Sequence, residues 1–426
     1  MTTINNKILL GANSNFKKIA KDLYTENLTE VIERFTTLVT RHSSWCLGES
    51  FFFSSPGRIE IIGNHTDHNN GEVLAATISL DTLAIVTPND EMQIIIKSEG
   101  FDDVIVDIND LECKEEEKGS SQALVRGVLK GFINKGYSIG GFFSTTTSTV
   151  MKGSGVSSSA AFEVLVSEIL NQLYNNGSIS PKDKAIISRF AENNYFGKPS
   201  GLMDQLTIAL GGVSRLDFKD QENPIITTLT WNFNKLSIFI INCGGDHSDL
   251  TKHYASIKTE MVSIANYFGQ NNLRGVDRSE FMMNIKNLKQ AFNGRSILRA
   301  MHFYDENLRV ANATEFLKNG DDKKFLDAVR DSGISSYTKL QNIYVEGDPS
   351  EPIPLALAII NSVVDCNNNK FSHACRIHGG GFAGTVLAIV PNLHEADFIN
   401  TMTDLYGKEN VFKVKIRKSG AIKLDL

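Results

Sequence analysis

Three stretches of the chain bring together side chains able to handle phosphate and hydroxyl groups. The first reads VMKGSGVSSSAA from Val150 to Ala161, after an apolar, Thr-rich segment. Gly153 and Gly155 let backbone N–H groups approach an anion closely. Ser157, Ser158 and Ser159 stand where a following helix directs its unpaired N–H groups and positive dipole end. Ala161, Val164, Leu165, Ile169 and Leu173 recur at helical spacing, so the loop opens a buried helix. The string is neither a Gly-x-x-x-x-Gly-Lys-Ser/Thr nor a Gly-x-Gly-x-x-Gly motif. A glycine turn with a serine cap is the structural alternative to a phosphate cradle.

The second stretch, Ser55 to Gly71, reads SPGRIEIIGNHTDHNNG and places Arg58 a few positions before Asn64, His65, Asp67 and His68. Convergent donors and acceptors of this kind suit the hydroxyls of a sugar. A solvated turn is the plain alternative, and a two-histidine metal site lacks further ligands. In the third, Pro199-Ser200-Gly201-Leu202-Met203-Asp204-Gln205, Ser200 reads as a helix N-cap and Asp204 falls in the first turn. The helix dipole and a cation such as Arg58 keep that carboxylate ionised, as a base accepting a hydroxyl proton requires; a structural Asp near a helix start is the alternative. Arg299, His302, Glu306 and Arg309 share one helix face and read as a surface network. The glycine run Gly379 to Gly384 reads as a close backbone approach to a ligand or as a tight turn.

The elements that must position these groups form a mixed α/β chain. A helix-like region covers roughly Asn15 to Arg41, and short β-type runs fill Phe51 to Ile85. Further strands are expected at Ile94–Lys97 and Val104–Ile108, then a helix over about Gln122–Lys135. Two helical patterns in Ile179–Leu210 are split at Gly197–Gly201. After the apolar strand Leu236–Ile241 come helical segments near Leu250–Phe268, Ser279–Phe292, Arg299–Lys318 and Lys323–Tyr344. An apolar helix past Pro354, the polar cluster Asn367–Lys370 and a strand at Thr385–Val390 complete the chain. With 426 residues, 41% hydrophobic and 22% charged, two domains are expected, 1–231 and 232–426, with the active site between them. A net charge of -6 without a basic block argues against nucleic acid, and the five dispersed cysteines against a disulfide framework or zinc site. No apolar run is long enough for a membrane span, and Ile8-Leu9-Leu10 is too short for a signal-peptide core, so a soluble, cytoplasmic protein is expected.

Taken together and in this order, the segments from Ser55 to Gly384 resemble the GHMP small-molecule kinases, and within them the galactokinase family. Pro56–Gly71 is similar to that family's N-terminal signature, Gly153–Ala161 to its nucleotide-phosphate loop, Gly201–Gln205 to its Gly-x-Met-Asp-Gln element and Arg376–Gly384 to its C-terminal glycine motif. The resemblance implies a two-domain α/β (α+β) GHMP fold of mixed sheets flanked by helices, with ATP and Mg²⁺. The reaction it implies is phosphorylation of the anomeric hydroxyl of galactose. It assigns Asp204 as base with Arg58 beside it, Ser159 and Glu192 as Mg²⁺ ligands, and Gly153, Gly155, Val156, Ser157, Ser158 and Ser159 as the ATP-phosphate cradle. Asn64, His65, Asp67, Gly201 and Tyr254 take the sugar contacts, and a monomer is favoured.

The chain departs from the family pattern in four places. Asn64 replaces the usual Glu, His68 the usual Tyr, Met151 the usual Pro and Ser200 the common Cys. The amide of Asn64 brings no charge to the outer end of the sugar. A kinase for a related sugar, N-acetylgalactosamine or arabinose, and a non-catalytic sugar sensor are therefore the alternatives. The intact Ser157–Ala161 loop together with Asp204, Arg58 and Glu192 speaks against the sensor.

Overall fold

A computed structural model describes residues 11–150, 155–244, 250–345, 347, 349–365, 373–382 and 384–426. The chain opens with two helices, α1 (Ser14–Leu23) and α2 (Leu28–Ser43). Where one helical region was expected, Asn27 starts a second helix: its side chain accepts from Glu30 N while Glu30 returns a bond to the Asn27 N–H. Apolar faces of both helices, including Phe16, Leu23, Phe35 and Leu38, pack on the first sheet.

That sheet has eight strands: β1 (Phe51–Ile62), β2 (Glu72–Asn89), β3 (Gln93–Ser98), β4 (Val104–Asp107), β5 (Gly141–Ser148), β6 (Val213–Asp217), β7 (Ile225–Leu229) and β12 (Ile422–Leu424). Its order is β12-β1-β2-β5-β3-β4, with β6 on the first half of β2 and β7 beyond it; only the β3–β5 pair is parallel. The near-continuous apolar run of β2 is buried on both faces from Glu72 to Thr87, as a strand sandwiched between layers requires. The second sheet is antiparallel, ordered β11 (Val411–Val414), β8 (Leu236–Gly244), β10 (Gly384–Pro391), β9 (Ala374–Ile377).

Helices α3 (Ser121–Asn134), α4 (Ser158–Tyr174), α5 (Pro181–Ala191) and α6 (Met203–Leu210) accompany the first sheet. The second half carries α7 (Thr251–Tyr267), α8 (Arg278–Met283), α9 (Ile285–Ala291), α10 (Gly294–Asn319), α11 (Asp322–Ser335), α12 (Pro352–Asp365) and α13 (Glu395–Tyr406). The helix expected over Ser279–Phe292 is divided at Asn284, and the one expected to Tyr344 changes at Ser336 into a π-helical turn ending at Gln341, φ 58. The cluster Asn367–Lys370 lies outside the described residues. Among the described residues, no helix is long and apolar enough to cross a membrane.

The two sheets share one core, in which Ile59, Ile61, Leu74 and Ile78 of the first meet Ile238, Ile240, Leu387 and Ile389 of the second through Val310, Leu317 and Phe325. Apolar contact of this extent fixes β1 and the β9–β10 hairpin in register with each other.

Candidate active site

The site is built on a kink in β1. Register slips between Pro56 and Arg58, so that Pro56 faces Asp81 and Arg58 faces Thr77. At the slip a Cβ on Gly57 would lie 3.0 Å from Val156 O, and the Arg58 N–H donates to that same carbonyl at 3.2 Å. Glycine is needed there because the phosphate loop runs directly against the strand.

The kink turns the Arg58 side chain toward the N-terminus of α6. Its Nε donates to Asp204 Oδ1 at 2.8 Å and Nη2 to Oδ2 at 2.9 Å, a bidentate pair, while Nη1 donates to Gly155 O at 2.6 Å. Ser157 Oγ donates to Asp204 Oδ2. Burial works to raise the Asp204 carboxyl, but the Arg58 charge and these hydrogen bonds outweigh it and hold the group below its ordinary range. The Asp204 side chain remains 30% exposed, against 6% for Arg58. An ionised carboxylate with one open side, touching a serine of the phosphate loop, is placed to take a proton from a hydroxyl beside a phosphoryl group.

Ser157 does not cap α4 as a serine cap would. Its backbone is left-handed at φ 65 and its hydroxyl is used on Asp204 instead. Ser158 opens α4, and Ser159 Oγ donates to Glu192 Oε1 at 3.0 Å. Glu192 begins a π-helical turn, Glu192–Phe196, ended by Gly197 at φ 85; the turn folds the next residues back over Glu192. Lys198 Nζ then reaches Oε1 at 3.0 Å, Ser200 Oγ reaches Oε2 at 2.6 Å and Gln205 Nε2 reaches Oε2 at 2.8 Å. Ser200 is therefore no N-cap; Leu202 occupies that position in α6. Lys198 and Gln205 were not singled out from sequence, although the Gly-Lys-Pro-Ser-Gly break drew attention to the segment.

On the other side of Asp204 lies the signature after β1. Asp67 opens a single 3₁₀ turn, and a methyl group on Gly201 would collide with its carboxylate. Glycine at 201 thus lets Asp67 approach the start of α6. Burial, then the neighbouring Glu60 and Asp204 charges, push the Asp67 carboxyl up to about 6.

Asn64, His65 and Tyr254 converge on the C-terminal glycine motif. Asn64 is fully buried: Nδ2 donates to Glu60 Oε1 at 3.0 Å and Gly379 O at 2.7 Å, and Oδ1 accepts from Asn342 Nδ2 at 2.8 Å. His65 Nε2 lies 2.7 Å from Gly380 O and its Nδ1 lies 3.3 Å from His68 Nε2. Burial lowers His65 to about 4 and His68 well below the ordinary range, so both rings are neutral. Tyr254 OH donates to Gly381 O at 3.0 Å. Gly153 lies outside the described residues.

The face of α10 carrying Arg299, His302 and Glu306 is not a surface network. All three are buried, Glu306 Oε1 accepts from Gly63 N at 2.9 Å, and the His302 ring meets Asn64 O at 2.8 Å. This face braces the signature turn. A cavity of about 620 Å³ between Trp231 and Lys413–Lys418 is lined by none of the candidate site residues.

A bent strand carrying an arginine, a glycine–serine loop at the start of α4 and a carboxylate in the first turn of α6 thus meet at one point. The family model of the GHMP kinases N terminal domain matches residues 123–212, and that of the galactokinase galactose-binding signature matches residues 45–88. A galactokinase of Clostridium perfringens is 30% identical over 366 residues, 84% of this chain and 89% of the relative. The chain belongs to the galactokinase family and is an ATP-dependent sugar kinase. Among solved structures, Lactococcus lactis galactokinase complexed with galactose superimposes with a TM-score of 0.77 at 22% identity, covering 92% of this chain and 99% of that one. Methanococcus jannaschii mevalonate kinase gives 0.60 at 14% identity, covering 87% and 99%.

Proposed function

We propose that the chain transfers the terminal phosphoryl group of ATP to the anomeric hydroxyl of galactose, with Asp204 as base. The observation that carries this reading is the single carboxylate shared by Arg58 and by Ser157 of the phosphate loop. The sugar O1–H gives its proton to Asp204, and the oxygen forms a bond to the γ-phosphorus as the bond to the β-bridging oxygen breaks. ADP leaves with that electron pair. Transfer is direct, because the transition state is loose and asks mainly for position and charge. Arg58 keeps the carboxylate ionised and offsets developing charge on the phosphoryl oxygens.

Gly153, Gly155, Val156, Ser157 and Ser158 are proposed to cradle the phosphates, and Asp67, His65, Asn64, Gly201 and Tyr254 to shape the sugar side. Asp67 is the open sugar contact. Asn64 spends its whole amide on protein partners and acts by fixing the turn.

Ser159 and Glu192 present two hard oxygen donors 3.0 Å apart beside the phosphate loop. Mg²⁺ is commonly held by one or two protein oxygens with phosphates and water, so this pair fits it by donor type, the ion taking the place of the Lys198 ammonium on Glu192 Oε1. When bound there, the ion would neutralise phosphate charge. Among the described residues, no cluster of three or more His, Cys, Asp or Glu residues offers a competing site. A monomeric, cytoplasmic enzyme of two domains, 1–231 and 232–426, with β12 returning from the second to pair with β1, completes the proposal.

A coupled ADP-release assay across galactose, 2-deoxygalactose, N-acetylgalactosamine, glucose, arabinose and mevalonate tests the reading. Turnover is expected with galactose; ADP formed only with mevalonate overturns the sugar assignment.

A further inference from the structure

Two buried polar atoms at the site have no hydrogen-bond partner among the described residues: His378 Nδ1 and Thr385 Oγ1. Both residues are 1% exposed. They face each other across the β9–β10 hairpin, where His378 N donates to Thr385 O at 3.0 Å. They also converge on the phosphate loop: a Cβ on Gly155 would lie 3.1 Å from Thr385 Oγ1 and 3.4 Å from His378 Nδ1. Gly155 is the residue whose carbonyl accepts from Arg58. The same hairpin presses further on the loop, since a Cβ on Gly379 would lie 3.4 Å from Gly155 O.

The tautomer of His378 follows from its other nitrogen. Nε2 lies 3.1 Å from the Glu60 backbone N–H, which can only donate, so Nε2 is the acceptor and the neutral ring carries its hydrogen on Nδ1. Burial, then the Arg58 and Arg376 charges, hold the ring well below the ordinary histidine range and so keep it neutral. Nδ1–H and the Thr385 hydroxyl are therefore two unpaired donors lying against Gly155 of the phosphate loop, whose carbonyl holds a guanidinium. Buried donors in folded proteins are almost always paired, and an exception calls for an absent acceptor. Next to Arg58, that acceptor is an anion.

We propose that His378 Nδ1–H and Thr385 Oγ1–H donate to the non-bridging oxygens of the phosphoryl group being transferred, so that the C-terminal hairpin supplies two catalytic residues to the loop at Gly155. The assignment rests on the kinase reading above. It gives the hairpin a role that its glycines alone do not: adding two donors to the loop residue that Arg58 already holds.

Side-chain geometry provides a test in which a structural role predicts the opposite order. His378→Gln keeps an acceptor near the Nε2 position for Glu60 N–H and removes the donor at Nδ1. His378→Asn keeps a donor near Nδ1 and loses the acceptor. Thr385→Val removes the hydroxyl at nearly constant shape, and Thr385→Ser restores it. Calorimetric binding of ATP and of ADP to the full chain, without sugar, reads the contact independently of which sugar is phosphorylated. The expected result is that His378→Gln and Thr385→Val lose about tenfold or more in ATP affinity, keep ADP affinity, and lose kcat with galactose KM unchanged, while His378→Asn and Thr385→Ser stay near the parent. An ATP-to-ADP ratio unchanged in His378→Gln and Thr385→Val overturns the proposal. So does His378→Asn failing while His378→Gln behaves as the parent, since that order marks a clip for β1 and nothing more. Loss of turnover on galactose in the parent itself would instead remove the sugar assignment and leave the nucleotide result standing.

Discussion

Two aspartates on or beside the first sheet are each gripped by arginine, and they serve opposite ends. Asp81 of β2 is completely buried: Arg34 Nη1 lies 2.7 Å from Oδ1, Arg417 Nη1 lies 3.7 Å from Oδ2, and Tyr24 OH donates to Oδ2 at 2.9 Å, joined by Ser54 Oγ. Asp204 has one arginine and one serine, and 30% of its side chain is open. The closed cluster ties the two N-terminal helices and the segment before β12 to the sheet. The open one keeps part of its carboxylate accessible beside Ser157 of the phosphate loop. Similar arginine-paired carboxylates become structural when they are shut off from solvent and reactive when one side stays open.

Breaking each cluster should therefore fail in a different observable. Asp204→Asn is expected to lose about 10²–10⁴-fold in kcat, the range of a general base, with a smaller drop in unfolding midpoint than Asp81→Asn, because Asp204 is 30% exposed and Arg58 loses one partner. Asp81→Asn leaves Arg34 and Arg417 without their buried counter-charge and should cost about 3–5 kcal/mol of stability, with kcat per folded molecule preserved. Urea unfolding and ADP-release kinetics on both variants check the pair; a catalytic defect in Asp81→Asn without instability would erase the distinction.

Smaller changes sharpen the open side. Gly201→Ala drives a methyl group into the Asp67 carboxylate, a clash worth about 1–3 kcal/mol, and should appear as a raised galactose KM with ATP binding intact. Asp67 itself predicts a pH effect. Its carboxyl titrates near 6 when folded, so kcat/KM for galactose should fall as pH drops below about 6. Because the folded value is raised, ionised Asp67 opposes folding: the cost is absent below its unfolded value near 3.8, grows between the two, and is complete above about 6. Asp67→Asn should thus melt higher than the parent at pH 8 and lose that advantage at pH 4, while binding galactose poorly. The mildest test lies far from the site: Asn27→Ala removes the capping box of α2 and should cost about 1 kcal/mol with no kinetic effect.

Local spacing made much of this legible. Pro56-Gly57-Arg58, the Gly155–Ser159 loop and Gly201–Asp204 each carry their reason within a few residues, a glycine for close approach beside a charged or hydroxyl group. What sequence could not show is long-range. The face of Arg299, His302 and Glu306 reads as exposed polarity until Gly63 and Asn64 are seen packed on it. Ser157 and Ser200 have the composition of caps, but Asp204 and Glu192 claim their hydroxyls. The second helix at Asn27 was readable in Asn-x-x-Glu. The return of β12 to the first sheet, by contrast, pairs Phe52 with Leu424, and no local pattern announces a pairing over that separation.

The most direct test is a crystal structure of the full chain with galactose and a non-hydrolysable ATP analogue. The account predicts the sugar O1 within about 2.6–3.2 Å of the Asp204 carboxylate, with the terminal phosphate lying on Gly155 and in line with O1. A sugar whose O1 points away from Asp204, or a triphosphate seated elsewhere than on the Gly155–Ser159 loop, would contradict it.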